Sequence, residues 1–143
     1  MSIKQLAVFV ENHPGTLAEI TDLLAQANVD TRALSISETP DFGILRMITP
    51  DIDAAKKALS ENSCVCSLND VVGVEIPDSP GGISGVIRLL SDNDINIEYL
   101  YAFVGTDDGN ACVVIRVADN EKAEALLSKN GYKVLTDADV LKL

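Results

Sequence analysis

The sequence has no tryptophan and few other aromatic residues, which together make up 4% of its 143 residues. It also has a single histidine, His13, and three cysteines, Cys64, Cys66 and Cys112. An odd number of cysteines is typical of reduced thiols in a cytoplasmic protein and not of a disulfide framework. Because His13 is far from the cysteines along the chain, we expect the cysteines to pack as small hydrophobes, and we expect neither a metal site nor a cofactor.

Basic residues and long apolar runs are also scarce. The chain has 11 lysines and arginines against 22 aspartates and glutamates, which gives a net charge of −11 at pH 7. Nucleic acids and anionic membranes both bind clustered basic residues, so we expect neither as a partner. No apolar run approaches the roughly 18–20 residues of a membrane span. The N-terminal stretch MSIKQLAVFVENHPG has one lysine and no small-residue cleavage site, so it predicts a strand and not a signal peptide.

The sequence also offers little for catalysis. A hydrolase requires a nucleophile, a base and an orienting group, and the single histidine leaves no such set. The segment GTDDGN, residues 105–110, is predicted to be a turn between two strands, whereas a phosphate loop precedes a helix. We therefore expect a protein that is not an enzyme.

What the chain does contain is an internal repeat. The stretches ENHPGTL, residues 11–17, and PDSPGGI, residues 77–83, both follow an apolar run and both precede a helical pattern. A shift of 66 residues aligns Pro14 with Pro80 and Gly15 with Gly81, and apolar positions of the following helix and strand align as well. Such a repeat indicates a duplicated structural unit.

Each half predicts the order β-α-β-β-α-β. In the first half we expect strands at 3–10, 29–37, 44–49 and 64–68, and helices at 16–26 and 51–61. Thr16 and Glu19 have the spacing of a capping box at the start of the first helix. In the second half we expect strands at 71–76, 95–104, 111–118 and 132–137, and helices at 82–92 and 119–130, with the acidic run DADV as a solvated turn.

This order predicts an α+β fold of two ferredoxin-like units, residues 1–69 and 70–143, whose antiparallel sheets join into one sheet with the helices on one face. A unit of about 70 residues has a marginal core, and joining sheet edges removes exposed edges. RNA-recognition domains share the order of elements, but the segments ILRMIT and ACVVIRVA lack the aromatic residues that stack on bases.

The repeated corner has the chemistry to bind a free amino acid. Gly15 and Gly81 have no Cβ, so a ligand can approach the backbone, and the helix that follows presents free N–H groups to a carboxylate. Asn12 offers both a donor and an acceptor, which suits an ammonium and a carboxylate together. The alternative is a purely conformational strand-to-helix turn, in which Pro-Gly is common. The recurrence of the corner at matching positions favours the binding interpretation.

On these residues the chain resembles the ACT domains, the amino-acid-sensing regulatory modules of metabolic enzymes. The stretches ENHPGTLAEITDLLAQANVD and PDSPGGISGVIRLLSDNDINI carry the resemblance, which covers the whole chain as two tandem copies. In the serine-sensing ACT domain of phosphoglycerate dehydrogenase the corner has the pattern His-x-Asn-x-Pro-Gly, and strand two begins Val-Asn-Ile. Here Val10 and Ile76 occupy the histidine position, Asp78 replaces the second corner asparagine, and Asp30 replaces the strand-two asparagine of the first copy.

The resemblance implies a ligand shared between the corner of one module and the second strand of its neighbour. One competent site is then expected to comprise Asn12, His13, Pro14, Gly15, Thr16, Leu17 and Asn96. The second site would bring two carboxylates together, and two carboxylates repel an α-carboxylate. We therefore expect an empty, weak or cation-selective site from Asp30, Asp78, Gly81, Gly82 and Ile83.

The predicted function is a cytoplasmic, non-catalytic amino-acid sensor, expected to pair as a homodimer and to act on a separate metabolic enzyme. The alternative is an interaction subunit that regulates a partner enzyme without binding a small molecule. His13 is either an exposed loop residue or a contact that selects the ligand's side chain. Tyr99 and Tyr101 are expected to face the same side of their strand, in packing or in a pocket.

Overall fold

The computed structural model describes residues 2–105 and 109–143. Two compact units are formed: the first unit is Lys4–Asn69, and the second unit is Asp70–Leu143 together with the first residues of the chain. The assignment of 1–69 and 70–143 to two ACT domains stays a prediction. Residues 106–108 of the predicted turn at 105–110 lie outside the described residues.

The first unit has the predicted order of elements. These are β1 (Ile3–Glu11), α1 (Thr16–Gln26), β2 (Ala33–Glu38), β3 (Phe42–Ile48), α2 (Ile52–Ser60) and the beginning of β4 (Cys66–Pro77). Strand β3 pairs antiparallel with both β1 and β2, and the strand order is β2-β3-β1-β4.

The second unit repeats this arrangement. It continues β4 and adds α3 (Gly82–Asp92), β5 (Tyr99–Ala102), β6 (Asn110–Arg116), α4 (Asn120–Lys129) and α5 (Asp137–Val140). Strand β6 pairs antiparallel with β4 and with β5. Val134 forms an isolated antiparallel bridge with Val74 of β4.

The two longer helices of each unit, α1 and α2 in the first and α3 and α4 in the second, pack on one face of its strands. The first core combines alternate residues of β1 and β3 with residues of α1 and α2: Leu6, Val8, Val10, Leu45, Met47, Ile20, Leu24, Ala55 and Leu59. The second core is built in the same way from β4, β6, α3 and α4, and it includes Val72, Val74, Ile115, Val86, Leu90 and Leu127. Alternation along a strand and a spacing of three or four along a helix create these apolar faces. The predicted α+β fold with two ferredoxin-like units is confirmed.

Three sequence expectations are wrong in detail. The two strands predicted at 64–68 and 71–76 are one uninterrupted strand, β4, because no glycine or proline breaks the extended backbone between them. The strand predicted at 132–137 contributes only the Val134 bridge. The run DADV is not a turn but the helix α5, in which Val140 is buried.

The cysteines and tyrosines behave as expected. All three cysteines are free thiols, and Cys64 and Cys66 pack against the first core. Burial raises the pKa of Cys66 and of Cys112, so both thiols stay protonated at neutral pH. The rings of Tyr99 and Tyr101 stack on one side of β5, with centroids 6.4 Å apart and an interplanar angle of 20°.

Of the helices in residues 2–105 and 109–143, none is long and apolar enough to cross a membrane. The same residues contain no group of three or more His, Cys, Asp or Glu side chains placed to hold a metal ion.

Candidate functional site

The first corner joins β1 to α1. The backbone N–H of Asn12 donates to the Asp41 carbonyl (3.4 Å), and that of His13 donates to the Glu11 carbonyl (3.0 Å). Gly15 has a φ of 95°, in the left-handed region that residues with a Cβ rarely adopt. A Cβ built on Gly15 would meet no atom within 4 Å. The backbone at this corner is therefore uncovered by the described residues.

The start of α1 has no side-chain cap. Gly15 is the N-cap residue and Thr16 is the first helical residue. The predicted capping box of Thr16 and Glu19 is wrong, since it requires Thr16 at the N-cap. The first N–H groups of a helix have no acceptor within the helix, and they add to the positive end of its dipole. This helix end can bind a carboxylate.

Asn12 presents an acceptor at the corner. Its Nδ2 donates to the Thr39 carbonyl at 3.1 Å, in the turn between β2 and β3. A carbonyl can only accept, so this bond fixes which end of the amide is the nitrogen. Among the described residues, none donates a hydrogen bond to Oδ1 of Asn12. This oxygen is therefore available to an ammonium group.

His13 is held by two acceptors. Its Nε2 lies 2.8 Å from Oε2 of Glu11, and its Nδ1 lies 3.1 Å from the Pro14 carbonyl and 3.1 Å from Oγ1 of Thr16. The Pro14 carbonyl and, to a lesser extent, the Glu11 carboxylate raise the pKa of His13. A carboxylate and a carbonyl can only accept, so both ring nitrogens donate when both bonds are made. This arrangement suits the protonated ring.

A pocket of about 350 Å³ opens beside the corner, within the first unit. It lies between the end of β1, the first turn of α1 and the adjoining ends of β2 and β3. Its wall is apolar and its rim is polar. It is lined by Val10, Glu11, Asn12, His13, Leu17, Ile36, Glu38 and Gly43.

Strands β2 and β3 contribute pocket residues that the sequence patterns did not identify. Ile36 is 52% exposed, and Glu38 lies at the end of the same strand. A Cβ on Gly43 would come within 2.9 Å of the Ser37 carbonyl, so a larger residue does not fit there. The strand was predicted to begin at residue 44, so Gly43 was not recognised as part of it, although Gly43 lies within β3. A glycine inside a strand often marks such a close backbone approach.

The second corner has the same backbone path. Gly81 has a φ of 85° with no atom within 4 Å of a built Cβ, and the N–H of Asp78 donates to the Gly109 carbonyl at 3.1 Å. The two corners differ at the first helical residue. A Cβ on Gly82 would lie 2.1 Å from the Pro77 carbonyl oxygen, whereas the first corner accommodates a threonine. The second corner is therefore more tightly closed by its own backbone.

The other predicted residues of the second site are engaged within their own units. Ile83 packs against the second core. Asp30, in the first unit, forms an ion pair with Arg32 at 3.1 Å, and its backbone N–H donates to the Asp51 carboxylate at 3.2 Å. The charge of Asp30 is thus partly offset by a neighbour.

Asn96 lies in the second unit, where it lines a pocket of about 280 Å³ with Asp94, Glu98, Asp119 and Lys122 among its neighbours. The structure brings Asn12, His13 and Leu17 to one pocket of the first unit. The predicted approach of Asn96 to Asn12, and of Asp30 to Asp78, stays a prediction.

Comparison with known proteins identifies the family of this fold. A profile described as an ACT domain pair matches residues 1–143. No curated protein sequence matches the chain. The crystal structure of protein BT0572 from Bacteroides thetaiotaomicron is similar, with 40% sequence identity and a TM-score of 0.91, and the alignment covers 100% of this chain and 98% of that chain.

Two further structures are similar in fold. The regulatory subunit of aspartate kinase from Thermus thermophilus, in a ligand-free form, is 16% identical with a TM-score of 0.65, and the alignment covers 90% of this chain and 92% of that chain. The regulatory subunit of aspartate kinase from Thermus flavus is 19% identical with a TM-score of 0.60, over 87% of this chain and 88% of that chain.

Proposed function

Because the chain belongs to the family of ACT domain pairs, we propose that it is a non-catalytic regulatory protein that binds a free α-amino acid at the first corner. Its two ACT modules would comprise residues 1–69 and 70–143. The observation that carries the proposal is the coincidence, in one unit, of an uncovered Gly15, an uncapped helix start and a pocket.

The corner has a separate contact for each end of an amino acid. The N–H groups at the start of α1 would bind the α-carboxylate, and the backbone at Gly15 would allow it to approach. Oδ1 of Asn12 would accept a hydrogen bond from the α-ammonium group, aided by the nearby Glu11 carboxylate. Binding through both charged ends suits a free amino acid better than a residue within a peptide, which lacks these charges.

The pocket wall indicates the class of side chain. Val10, Leu17 and Ile36 offer apolar surface, and burying an aliphatic side chain there is favourable by about 1.5–3 kcal/mol when burial is complete. The carboxylates of Glu11 and Glu38 on the rim would repel an acidic side chain. We therefore expect a neutral, aliphatic amino acid to bind in preference to aspartate or glutamate.

The regulatory role rests on the family and on its fold relatives. The Thermus proteins named above are regulatory subunits of aspartate kinase, and by analogy this chain would regulate a separate metabolic enzyme. We further propose that the protein forms a homodimer. We also propose that it is cytoplasmic, because free thiols, of which it has three, persist in that compartment. Asn96 of a neighbouring module would complete the ligand site, as the sequence resemblance implies.

A thermal-shift screen of the twenty amino acids tests the proposal, because a ligand that binds the native state raises its melting temperature. We expect a rise for aliphatic amino acids and none for aspartate or glutamate. Calorimetry on Asn12→Ala and Asp78→Ala then locates the site: the first variant should lose binding at least tenfold, and the second should retain it. Equal losses would contradict a single competent site, and no shift with any amino acid would reject the sensor function.

One observation favours the second candidate function, an interaction subunit that binds no small molecule. On the first unit, Phe9 is 49% exposed and Val65 is 64% exposed. They are neighbours, since the N–H of Phe9 donates to the Val65 carbonyl, and Ile44 lies opposite Phe9 on β3. Val65 directly precedes β4 and Ile44 is half-buried, so an apolar patch with two exposed members extends across β1 and its neighbours, as is typical of a protein contact surface. A flat thermal-shift screen would favour this candidate.

A further inference from the structure

We propose that His13 makes amino-acid binding at the first corner proton-coupled: the α-carboxylate binds tightly only when the imidazole carries a second proton. This inference deepens the proposed function and rests on it. It stands on the placement of His13 on the rim of the pocket and on the two acceptors that hold its ring.

Among the residues that line the pocket, His13 is the one side chain that can carry a positive charge. Among its lining residues the ionisable side chains are Glu11, His13 and Glu38. The two carboxylates would attract the α-ammonium group of a bound amino acid and repel its α-carboxylate, and no lysine or arginine lines the pocket. With a neutral imidazole the three side chains sum to two negative charges, and with an imidazolium they sum to one. The proton on His13 is therefore the one change of side-chain charge near neutral pH that favours a carboxylate.

The groups that face His13 from the neighbouring elements are acidic or neutral. Glu11 on β1 lies 2.8 Å away, Glu19 on α1 adds a weaker attraction, and Thr16 contributes a hydroxyl. Across the pocket, Glu38 on β2 also carries a negative charge. The carboxylates of Glu11 and Glu19 favour the protonated ring.

The hydrogen bonds of His13 depend on its protonation state, and one of them involves the backbone of the corner. An imidazolium donates from both nitrogens, to the Glu11 carboxylate and to the Pro14 carbonyl. When one proton leaves to solvent, one nitrogen can no longer donate, so its bond to the Glu11 carboxylate or to the Pro14 carbonyl is lost. If that nitrogen is Nδ1, it can accept from the Thr16 hydroxyl 3.1 Å away instead, so deprotonation changes the bonding of the turn that precedes α1. The charges of the pocket and the hydrogen bonds of the ring thus both favour the imidazolium form of His13.

The direction of coupling follows from linkage. If the bound carboxylate stabilises the imidazolium, binding must raise the pKa of His13, and the affinity must fall as the pH rises through the His13 titration. Because His13 is exposed, solvent screens its attraction to the bound carboxylate, and we expect an affinity about two- to fivefold higher below the titration than above it. The amino acid itself changes neither of its charges in this range.

NMR offers a direct test, because His13 is the only histidine of the chain. Its ring-proton shifts, followed from pH 5 to 9, give the pKa without and with a saturating aliphatic amino acid such as L-valine or L-leucine. We expect binding to raise the pKa of His13 and calorimetry to give about two- to fivefold weaker binding at pH 8.5 than at pH 5.5. In His13→Gln the affinity should be low and independent of pH.

Two outcomes would overturn the inference, and they differ from failure of the proposed function. If valine or leucine binds but leaves the His13 pKa unchanged, the coupling is wrong while the sensor function stands. If His13→Gln keeps the wild-type pH dependence, another group carries the proton. If none of the twenty amino acids binds at any pH, both the inference and the proposed function fail. Glu11→Gln is a second variant: it should lower the His13 pKa and move the affinity profile to lower pH, and it should also weaken binding at every pH because Glu11 lies near the expected position of the α-ammonium group.

Discussion

At the residue scale, the two corners differ most at the position after the left-handed glycine. The first corner has Thr16 there and the second has Gly82. The difference is steric, because the Pro77 carbonyl occupies the space that a Cβ on Gly82 would need. A backbone atom cannot move aside as the end of a side chain can. Gly82 is thus explained by local packing and Gly81 by its positive φ of 85°, without a ligand.

We predict that Gly82→Ala destabilises the protein by about 1–3 kcal/mol, the usual cost of forcing an extra group into a packed site. Urea unfolding would measure the change. Thr16→Ala is the matched control, since this position already holds a Cβ, and it should change the free energy of unfolding by about 0.5 kcal/mol or less. Comparable losses in the two variants would show that the Pro77 contact has no energetic consequence.

At the element scale, α5 is the clearest feature that lies outside the βαββαβ pattern. It follows the Val134 bridge, and it begins with a capping box: the N–H of Asp139 donates to Oγ1 of Thr136, while the N–H of Thr136 donates to the Asp139 carboxylate. Lys133 adds ion pairs to Asp139 at 3.9 Å and to Glu75 of β4 at 3.7 Å. These contacts hold the C-terminal segment against β4 of the same unit.

Removal of this cap should weaken the C-terminal segment. Thr136→Ala should lower the free energy of unfolding, or of local opening measured by hydrogen exchange, by about 1 kcal/mol. Protection should be lost first in α5 and not in α4, whose own N-cap is Asp119. Unchanged exchange rates at Val140 would contradict this role of the cap.

The same cap predicts a pH dependence. The backbone hydrogen bond from Thr136 lowers the pKa of Asp139 below its usual value near 3.8. A depressed folded-state pKa stabilises the fold above the unfolded-state pKa, and this contribution is lost as the pH falls through the folded-state pKa. Asp139→Asn should therefore be less stable than wild type at pH 7, with a difference that shrinks below about pH 4. A difference that is constant from pH 7 to pH 3 would contradict the assignment.

At the scale of the whole molecule, the sequence predicted the order of elements because its signals are local. The spacing of Leu17, Ile20 and Leu24 and the left-handed Gly15 define α1, and the structure places the helix at Thr16–Gln26 as predicted. The corresponding pattern of the second half predicts α3 at Gly82–Asp92. A periodic apolar face and a glycine at a turn can be recognised without knowledge of the rest of the fold.

The wall of the pocket could not be predicted in the same way. Ile36, Glu38 and Gly43 reach the corner only because β3 pairs with β1 in a register that sets Gly43 opposite Val10. Register depends on partners distant in sequence, which no local pattern specifies. The short length of β5 depends on such pairing as well.

The central claim is that the molecule has one competent amino-acid site, at the uncovered backbone of the first corner. Calorimetry with L-valine or L-leucine on the intact chain, comparing Gly15→Ala with Gly81→Ala, tests it most directly. Both glycines have a backbone in the left-handed region, and a Cβ built on either would meet no atom within 4 Å. Both variants should therefore lose similar stability. We predict that only Gly15→Ala weakens binding, by at least tenfold, because its new Cβ occupies the approach to α1. Unchanged binding by Gly15→Ala, or an equal loss in Gly81→Ala, would contradict the account.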